Sequence, residues 1–508
     1  MKVTQAIRVI SQLLFLVLLV SCATHPDVPV QAKATEECIN VLPDYSDVTI
    51  PPNIAPLNFS VCGDSITQCV ARFSFAGGSF TYGKGRKVLI DEGEWREMLR
   101  QSIGTSIKVE VFTEVNGLWR QHPSFSIHVA PDSIDPYVAY RLIPPYNTYE
   151  RICLRQRNIA TFDEYEIYNN QMLDDPRGGH CINCHSFQNY HTDRMQFHVR
   201  EEFGGTIIYD NGKLGKYNLK RPETISSGVY PAWHPSLNLV AYSVNKSFLE
   251  DHTDGLCKAE VQDSESGLIL YNVSEQRVIP IAADSAMMET FPSWSPDGEW
   301  LYYAAAQFVF NEKLSSVASD HARINRQHDI TERYKTVHYD IYRRHFDAET
   351  LTLGLSEPVL VVSKDSMSAT LPRISPDGRY LLTCIGRHGC FHVYHPEADL
   401  FVTDLQQTLP GEALPLTKAN SSRAESYHNW SSNGRWIVFQ SRRRDNNYTR
   451  LYFSWFDEKG ASHKAFELPQ QDPDYEVQNL CSYNIPEFTV EAVKTTPAEL
   501  ARTIYHPD

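Results

Sequence analysis

Two cysteines and a histidine in the middle of the chain have the spacing of a cofactor attachment site. Cys181-Ile-Asn-Cys184-His185 is a C-x-x-C-H run, which is the attachment signature of c-type haem. Each thiol of such a run adds to one vinyl group of the haem, and the adjacent histidine is an axial ligand of the iron. The run therefore predicts one covalently bound haem c per chain.

Three other uses of the same residues stay open. A zinc site would need further ligands, and no second C-x-x-C pair is present, although nearby histidines could contribute. A redox-active dithiol would be expected within a βαβ unit, whereas the flanking sequence is β-like. A disulfide between Cys181 and Cys184 would close a very small ring and leave His185 without a role. We therefore expect haem c, with a bound metal ion as the alternative.

Residues near the motif are candidates for the sixth iron ligand and for contacts with the haem propionates. His198 is the first candidate ligand and Met195 the second. If residues 194–200 form a strand, these two side chains point to opposite faces, so only one can reach the iron. Arg177 and Arg200 could pair with the propionates, because guanidinium matches carboxylate geometry. All four could equally be ordinary packed or surface side chains. The other candidates within reach along the sequence are Met172, His180 and His191.

The first 22 residues indicate export. Lys2 and Arg8 precede the apolar run VISQLLFLVLL, which is too short to span a bilayer comfortably. Small residues then lead to Cys22. This segment resembles the lipobox of bacterial lipoproteins, which are cleaved before the cysteine and lipidated on it. The resemblance implies a signal peptide at 1–21, lipidation of Cys22, and a tether at 22–45. It places the protein in the bacterial envelope, at the outer membrane facing the periplasm; an ordinary secretory signal is the alternative.

A repeated strand–turn–strand pattern predicts the fold of the longer C-terminal region. The copies begin 61, 80 and 56 residues apart, which is enough for a four-stranded sheet in each interval. Ser-Pro-Asp-Gly supplies the proline and glycine that a tight turn needs, so we expect Asp297 and Asp377 to be turn residues rather than catalytic carboxylates. The four copies are YPAWHPSLNLVAY from Tyr230, FPSWSPDGEWLYY from Phe291, LPRISPDGRYLLT from Leu371 and YHNWSSNGRWIVF from Tyr427.

This pattern resembles the TolB-type β-propeller, a relative of WD-repeat propellers, over roughly residues 180–490. The resemblance implies an all-β fold with about six blades around a central channel. The motif flank CHSFQNYHTDRMQFHVR can be laid over YHNWSSNGRWIVFQSRR with one extra turn residue. Residues 146–200 are therefore predicted to be a haem-attachment segment leading into the first blade, with the haem near the channel mouth. Residues 491–508 are predicted to form a C-terminal tail.

Residues 46–145 predict a separate, β-sandwich-like domain ahead of the propeller. Ile107, Val109 and Val111 alternate with polar residues, as in a strand with one buried face, and Asn116-Gly117 is a strong hairpin signal. The stretch EGEWREML predicts one short helix.

Composition and missing motifs narrow the functions to consider. A formal net charge of −15 disfavours a nucleic-acid partner, because phosphate repels a surface of that sign. No G-x-S-x-G elbow, P-loop or Rossmann fingerprint occurs, so a conventional enzyme has little support. Eight further cysteines could form disulfides in an oxidising compartment; Cys62 with Cys69 and Cys384 with Cys390 are close enough in sequence for small loops.

The sequence resembles exported bacterial TolB-like propeller proteins that carry one C-x-x-C-H motif and are often labelled cytochrome-like. The expected function is electron transfer by a lipid-anchored monohaem propeller that docks an envelope redox partner. The alternative is a scaffold that binds a protein, peptide or glycan in the periplasm, with a structural haem or metal. A haem sensor or peroxidase-like enzyme is the second alternative, and it requires a vacant or displaceable sixth ligand.

Overall fold

The described chain consists mainly of β-strands. This computed structural model describes residues 25–145, 151–172, 180–222, 224–252, 255–281, 286–310, 320–406 and 411–505, with the backbone alone at 320–325. Cys22, Arg177 and the predicted signal peptide at 1–21 lie outside these residues. The α-helices in the described ranges are α1 Glu92–Ser102, α2 Asp320–Arg333, α3 Tyr475–Gln478 and α4 Pro497–Tyr505.

The N-terminal region contains two sheets. The larger has seven strands (β1, β3, β5, β6, β8, β9 and β10), and the smaller has three (β2, β4 and β7). The strands are β1 Lys33–Ala34, β2 Val41–Leu42, β3 Thr49–Ile50, β4 Phe59–Val61, β5 Ile66–Phe75, β6 Gly78–Tyr82, β7 Lys87–Val88, β8 Ser106–Val115, β9 Leu118–Gln121 and β10 Phe125–Val129.

The predicted elements of this region are present. Asn116 and Gly117 connect β8 to β9 with φ angles of 52° and 76°, as a tight hairpin turn requires. The three alternating apolar residues of β8 are buried. Helix α1 begins after Asp91, whose side chain accepts hydrogen bonds from the backbone of Gly93 and Glu94 and so caps the helix.

The rest of the chain forms six further sheets of four or five strands. Their strands are β11 Tyr137–Ile143, β12 Cys153–Asn158, β13 Glu164–Asn169, β14 Ile182–Gln188, β15 His191–Val199, β16 Gly205–Asp210, β17 Lys213–Tyr217, β18 Val229–Trp233, β19 Leu239–Asp251, β20 Ala259–Asn272, β21 Arg277–Pro280, β22 Met287–Trp294, β23 Trp300–Gln307, β24 Asp340–Asp347, β25 Thr352–Leu353, β26 Glu357–Leu360, β27 Ser368–Ile374, β28 Tyr380–Gly386, β29 Asp399–Asp404, β30 Ala413–Pro415, β31 Glu425–Trp430, β32 Trp436–Ser441, β33 Arg450–Trp455, β34 Phe466–Glu467 and β35 Ser482–Thr489.

These six sheets are arranged in a propeller-like ring. Five consist of strands that follow one another along the chain, whereas the sixth has the order β13-β12-β11-β35 and joins residues 137–169 to residues 482–489. The innermost strands are β14, β18, β22, β27, β31 and β35. Each of them contacts the next, and β35 contacts β14, so the contacts close into a circle.

The turn residues behave as predicted. The Asp297 carboxylate accepts hydrogen bonds from the Ser295 hydroxyl and, at 2.9 Å, from the Glu299 backbone N–H. Asp377 accepts a hydrogen bond from the Arg379 backbone N–H at 3.1 Å. These contacts hold the turn between the first two strands of each sheet, so both carboxylates have a structural role.

The tryptophans of the repeat pack between neighbouring sheets. The Trp294 indole donates to the Ala232 carbonyl of the preceding sheet at 3.0 Å, and Trp430 donates to the Arg373 carbonyl at 3.1 Å. In these two sheets a polar anchor on a large apolar ring fixes the sheet against the one before it. The indole nitrogen of Trp233, in an earlier copy, has no such partner among the described residues.

Three predicted boundaries need correction. Strands β1 and β2 lie within the predicted tether at 22–45 and pair with β9 and β4. Strand β11 lies within the predicted sandwich at 46–145 but pairs with β12 and β35 of the ring. The predicted tail at 491–508 contains α4, whose Leu500 and Ile504 are fully buried. The sequence signal missed these elements because the turn motif of the repeats does not extend to them.

The N-terminal region packs directly on the ring. A single cluster of buried apolar side chains includes Trp95 of α1 and Trp436 and Phe453 of β32 and β33. Polar contacts reinforce this interface: Lys87 lies 2.6 Å from Asp472.

No helix in the described ranges has both the length and the apolar character needed to cross a membrane. All ten cysteines in those ranges are free, so the structure contains neither a Cys62–Cys69 nor a Cys384–Cys390 disulfide.

Candidate functional site

The innermost strands share one irregularity that faces the centre of the ring. Each strand shifts register against its neighbour, as in a β-bulge, at a non-glycine residue with positive φ. Such a conformation is uncommon outside glycine, and its recurrence in six strands shows that the backbone is repeated. The residues are Cys184 (53°), Tyr230 (49°), Phe291 (54°), Leu371 (55°), Tyr427 (44°) and Ile485 (50°).

These residues line a central cavity of about 470 Å³. This volume falls within the range of small-molecule sites. A second ring of side chains, two positions further along each inner strand, also lines the cavity and includes both charged and neutral residues. This second ring consists of Ser186, Ala232, Ser293, Arg373, Asn429 and Glu487.

The C-x-x-C-H motif enters the cavity through its last two residues. Cys184 and His185 lie on β14, line the cavity, and are 2% and 3% exposed. Neither ring nitrogen of His185 has a partner at full hydrogen-bond geometry. Burial lowers the pKa of His185 to about 3 and Arg141 adds to the effect, while backbone groups of Ala139 and Ile485 oppose it, so the ring is neutral. A neutral imidazole in a cavity wall is able to bind a ligand.

The first cysteine of the motif has different surroundings. Cys181 precedes β14, is partly exposed, and packs with Met172 against the buried cluster that includes Ile182 and Phe187. It is not among the residues that line the cavity. Of the two thiols of the motif, only Cys184 therefore belongs to the cavity wall, although the two interact electrostatically.

Arg200 and the two predicted sixth ligands can be placed as well. Arg200 acts electrostatically on Cys184, where it opposes the rise in the thiol pKa caused by burial. Met195 and His198 lie on opposite faces of β15, as predicted: Met195 packs in the cluster with Phe187, whereas His198 Nδ1 lies 3.3 Å from Thr206 Oγ1. Burial lowers the pKa of His198 to about 4. Neither candidate ligand lines the cavity.

Of the histidines that the sequence placed within reach of the motif, His191 does line the cavity. Sequence reasoning missed a further cavity histidine, on β31, and two half-buried charged side chains in the wall. His428 on β31 occupies the position of His185, and its Nε2 lies 3.2 Å from the Leu382 carbonyl oxygen. Arg373 and Glu487 both line the cavity, and their charges interact. Burial raises the pKa of Glu487 to about 7, and the Arg373 guanidinium opposes that rise. The repeats already carried this signal, because Arg373 stands two positions after the apolar opening of its copy.

The donor set of the cavity fits a haem in part. Cys184 supplies a thiol, and His185 supplies a neutral imidazole, which is the thiol and imidazole chemistry that c-type attachment uses. Cys181 lies outside the cavity wall, so the structure brings one thiol and the imidazole together and leaves the second thiol beside them. Arg177, the other predicted propionate partner, lies outside the described residues.

Comparisons with known proteins give only distant structural similarity. No family model matches the chain, and no curated protein matches it. The tricorn protease is 12% identical, with a TM-score of 0.36, over 72% of this chain and 34% of the other. Prolyl oligopeptidase B from Galerina marginata is 10% identical, with a TM-score of 0.36, over 70% and 42%. The β-propeller domain of the Trilobed protease from Pyrococcus furiosus is 10% identical, with a TM-score of 0.32, over 86% and 99%.

This chain thus spans about a third of the tricorn protease and less than half of prolyl oligopeptidase B. The similar structures are β-propeller proteins, in keeping with the ring of sheets. At these TM-scores the fold is inferred from the strand pairing of this chain alone, and none of the activities of those proteins is assigned to it.

Proposed function

We propose that the six ring sheets are the blades of one six-bladed β-propeller and that the N-terminal sheets form a β-sandwich-like domain packed on it. The circle of contacts among the inner strands supports the first part. The pairing of β11 with β35 supports it further, because one blade built from both ends of the propeller closes the ring. The second part rests on the shared core of the two N-terminal sheets.

We propose that this propeller is an envelope-located, lipid-anchored monohaem c-type protein that transfers electrons to an envelope partner. The observation that carries the proposal is that the buried, neutral His185 ring and the Cys184 thiol lie next to each other on the cavity wall. Anchoring would be through Cys22. The partner is unspecified beyond being a redox protein, and the net charge of −15 disfavours nucleic acid.

The residues of this chain divide the work as follows. Cys181 and Cys184 would hold the porphyrin and His185 would ligate the iron, while a bound haem would supply one-electron transfer. The aromatic rings of Tyr230 and Phe291 line the same cavity and would pack against a bound porphyrin.

A spectrum of the protein tests this proposal directly. The chain should be produced with and without c-type maturation machinery, purified, and extracted with acid–acetone. We expect a Soret band only in the matured sample, and we expect the colour to stay with the protein after extraction. The Cys181→Ala, Cys184→Ala double variant should lose the covalent colour, whereas Cys384→Ala, which removes a buried thiol of β28, should keep it. A colourless matured protein would disprove the proposal.

A binding scaffold is the second candidate, and the cavity itself favours it. The wall combines aromatic side chains with Arg373 and Glu487, a composition suited to a protein, peptide or glycan segment. If this function holds, the double cysteine variant should capture the same envelope partner as the wild type. Loss of capture in Arg373→Ala but not in the cysteine variant would favour the scaffold over the electron carrier.

A further inference from the structure

A second group of metal-ligating side chains lies away from the central cavity. Cys257 and Glu260 are at the start of β20, and His388 and His395 are in the connection between β28 and β29. The group therefore joins two sheets that are separated along the chain. None of these residues belongs to the C-x-x-C-H motif or lines the central cavity.

The ligand atoms are close enough to share one ion. One ligand atom from each of Cys257, Glu260 and His395 lies within 4.8 Å of the other two. Glu260 Oε2 is 2.9 Å from His395 Nε2 and 3.5 Å from His388 Nε2. Bonds of 2.0–2.3 Å in a tetrahedral zinc site place neighbouring ligand atoms about 3.3–3.6 Å apart. Closure of the group around an ion would thus need shifts of roughly 1 Å.

Two of the four side chains in this group are deeply buried. The Glu260 and His395 side chains are 1% and 2% exposed. Glu260 Oε1 and His395 Nδ1 make no hydrogen bonds within the described chain. A buried ionised carboxylate needs compensation from a cation or from a full set of hydrogen bonds. Oε1 of Glu260 has no such compensation within the described chain, and a bound cation would supply it.

A neighbouring histidine shows what a purely structural role looks like. His392 lies between His388 and His395 in sequence and is 1% exposed. Its Nδ1 lies 3.2 Å from Thr370 Oγ1, and its Nε2 lies 3.2 Å from the His388 carbonyl oxygen, so both nitrogens have partners. His395 differs from it by having one nitrogen without a partner.

We propose that Cys257, Glu260 and His395 bind a divalent transition-metal ion of the zinc class, with His388 as the fourth ligand. The sulfur, nitrogen and oxygen donors match the preference of zinc for such mixed tetrahedral sets. Burial and Glu260 raise the pKa of Cys257 to about 11. Binding near neutral pH therefore transfers the thiol proton to solvent as the sulfur–metal bond forms.

The bound ion would cross-link the β19–β20 hairpin to the segment that follows β28. The backbone at Gly389 approaches the group closely: a Cβ there would lie 3.0 Å from Glu260 Oε1, and the residue has a φ of 68°. Glycine is therefore the residue that this approach allows. Such a site stabilises the fold in the way that structural zinc does.

The experiment uses zinc and cobalt as probes of the full chain. Protein purified without chelator is analysed for zinc per chain, stripped, and titrated with Co²⁺ while the thiolate–cobalt absorption is recorded. Cys257→Ser and His395→Gln are compared with two matched controls. Cys481→Ser removes another partly buried thiol, and His122→Gln removes a buried histidine whose two nitrogens both have partners.

We expect about one equivalent of metal and a thiolate–cobalt band in the wild type and both controls. Affinity should fall at least about tenfold in each cluster variant. The Cys181→Ala, Cys184→Ala variant should bind as the wild type does, which separates this site from the haem motif. If the wild type neither binds Co²⁺ nor changes its melting temperature with Zn²⁺ or chelator, the group is only a hydrogen-bonded ion pair and the proposal is wrong. Metal lost only with the motif cysteines would also overturn it.

Discussion

Strands β14 and β31 have the same backbone but different chemistry. Both are innermost strands with a bulge, and both place a histidine after the bulge residue: Cys184-His185 in one and Tyr427-His428 in the other. Both rings are buried and neutral. Backbone groups of Leu382 and Leu371 act on His428, and those of Ala139 and Ile485 act on His185. The comparison shows that the ring tolerates a histidine here for packing alone. The adjacent Cys184 thiol, where β31 has Tyr427, therefore distinguishes the candidate site.

The largest expected effect is on haem content and spectrum, which should depend on residues of β14 but not on those of β31. Cys184→Ala should abolish two-point haem attachment, and His185→Ala should change the absorption spectrum of the bound haem because an axial ligand is lost. His428→Gln should leave both haem content and spectrum unchanged. Pyridine haemochrome analysis of the matured variants checks this. Equal effects of His185→Ala and His428→Gln would remove the distinction between the strands.

The next effect concerns the bulky residue that follows on each strand. Trp430 is 1% exposed and donates a hydrogen bond to the preceding sheet, whereas Phe187 is 4% exposed and carries no polar group. Trp430→Ala should therefore cost about 3–5 kcal/mol, at the upper end of core truncations, and Phe187→Ala somewhat less. Calorimetric melting checks this, with Leu355→Ala at a 90% exposed position as the control. A larger loss for Phe187 would show that β14 anchors the ring more strongly.

The third prediction uses the pH dependence of stability. Burial lowers the pKa of His428 to about 3, from an ordinary value of 6.5. Between these values the unfolded chain binds a proton that the folded chain does not, so stability falls as the pH drops below about 6.5. The contribution is up to about 1.4 kcal/mol per pH unit.

His428→Gln should flatten the plot of unfolding free energy against pH between 6 and 4. The slope between pH 7 and 8, where the histidine is neutral in both states, should stay the same. Denaturant unfolding across this range is the measurement. An unchanged slope below pH 6 would mean that His428 is more accessible to protons than its burial indicates.

The smallest effect concerns the turns. Asp377 and Asn433 occupy the same turn position, and each accepts a hydrogen bond from a backbone N–H two residues on, at 3.1 Å. Asp377→Asn should therefore change stability by less than about 0.5 kcal/mol, whereas Asp377→Ala should cost about 0.5–1.5 kcal/mol. Thermal melting distinguishes the two variants. A large loss with asparagine would point to a role for the charge that the turn does not explain.

The sequence pattern predicted the ring well where the signal was local. The four copies of the repeat correspond to the first two strands of four sheets, and the alignment of the motif flank gives the pairing of Phe187 and Trp430 with Met195 and Ile437. Strand β35 carries the same pattern as Ile485-Pro486-Glu487-Phe488. No turn motif follows it, and its partner β11 lies more than 300 residues earlier, so local patterns could not reveal the closure.

The two candidate sites differ in the same respect, because a local sequence pattern reveals one of them and not the other. Cys184 and His185 are adjacent in sequence, so a motif found them. The placement of Cys181 outside the cavity depends on where β14 begins, which spacing does not determine. Cys257, Glu260 and His395 come together only because the long β19–β20 hairpin reaches the connection between β28 and β29, two sheets further along the ring. The histidines alone gave no recognisable pattern.

The antiparallel sheet of β11, β12, β13 and β35, which joins two distant parts of the chain, constrains the order in which the ring can form. Strand β11 has no partner on its inner side until residues 482–489 have been synthesised and pair with it. Until then the other five sheets do not form a closed ring, and the central cavity is open on one side. A group attached at Cys184 before β35 joins the ring would therefore be enclosed when β35 pairs with β11.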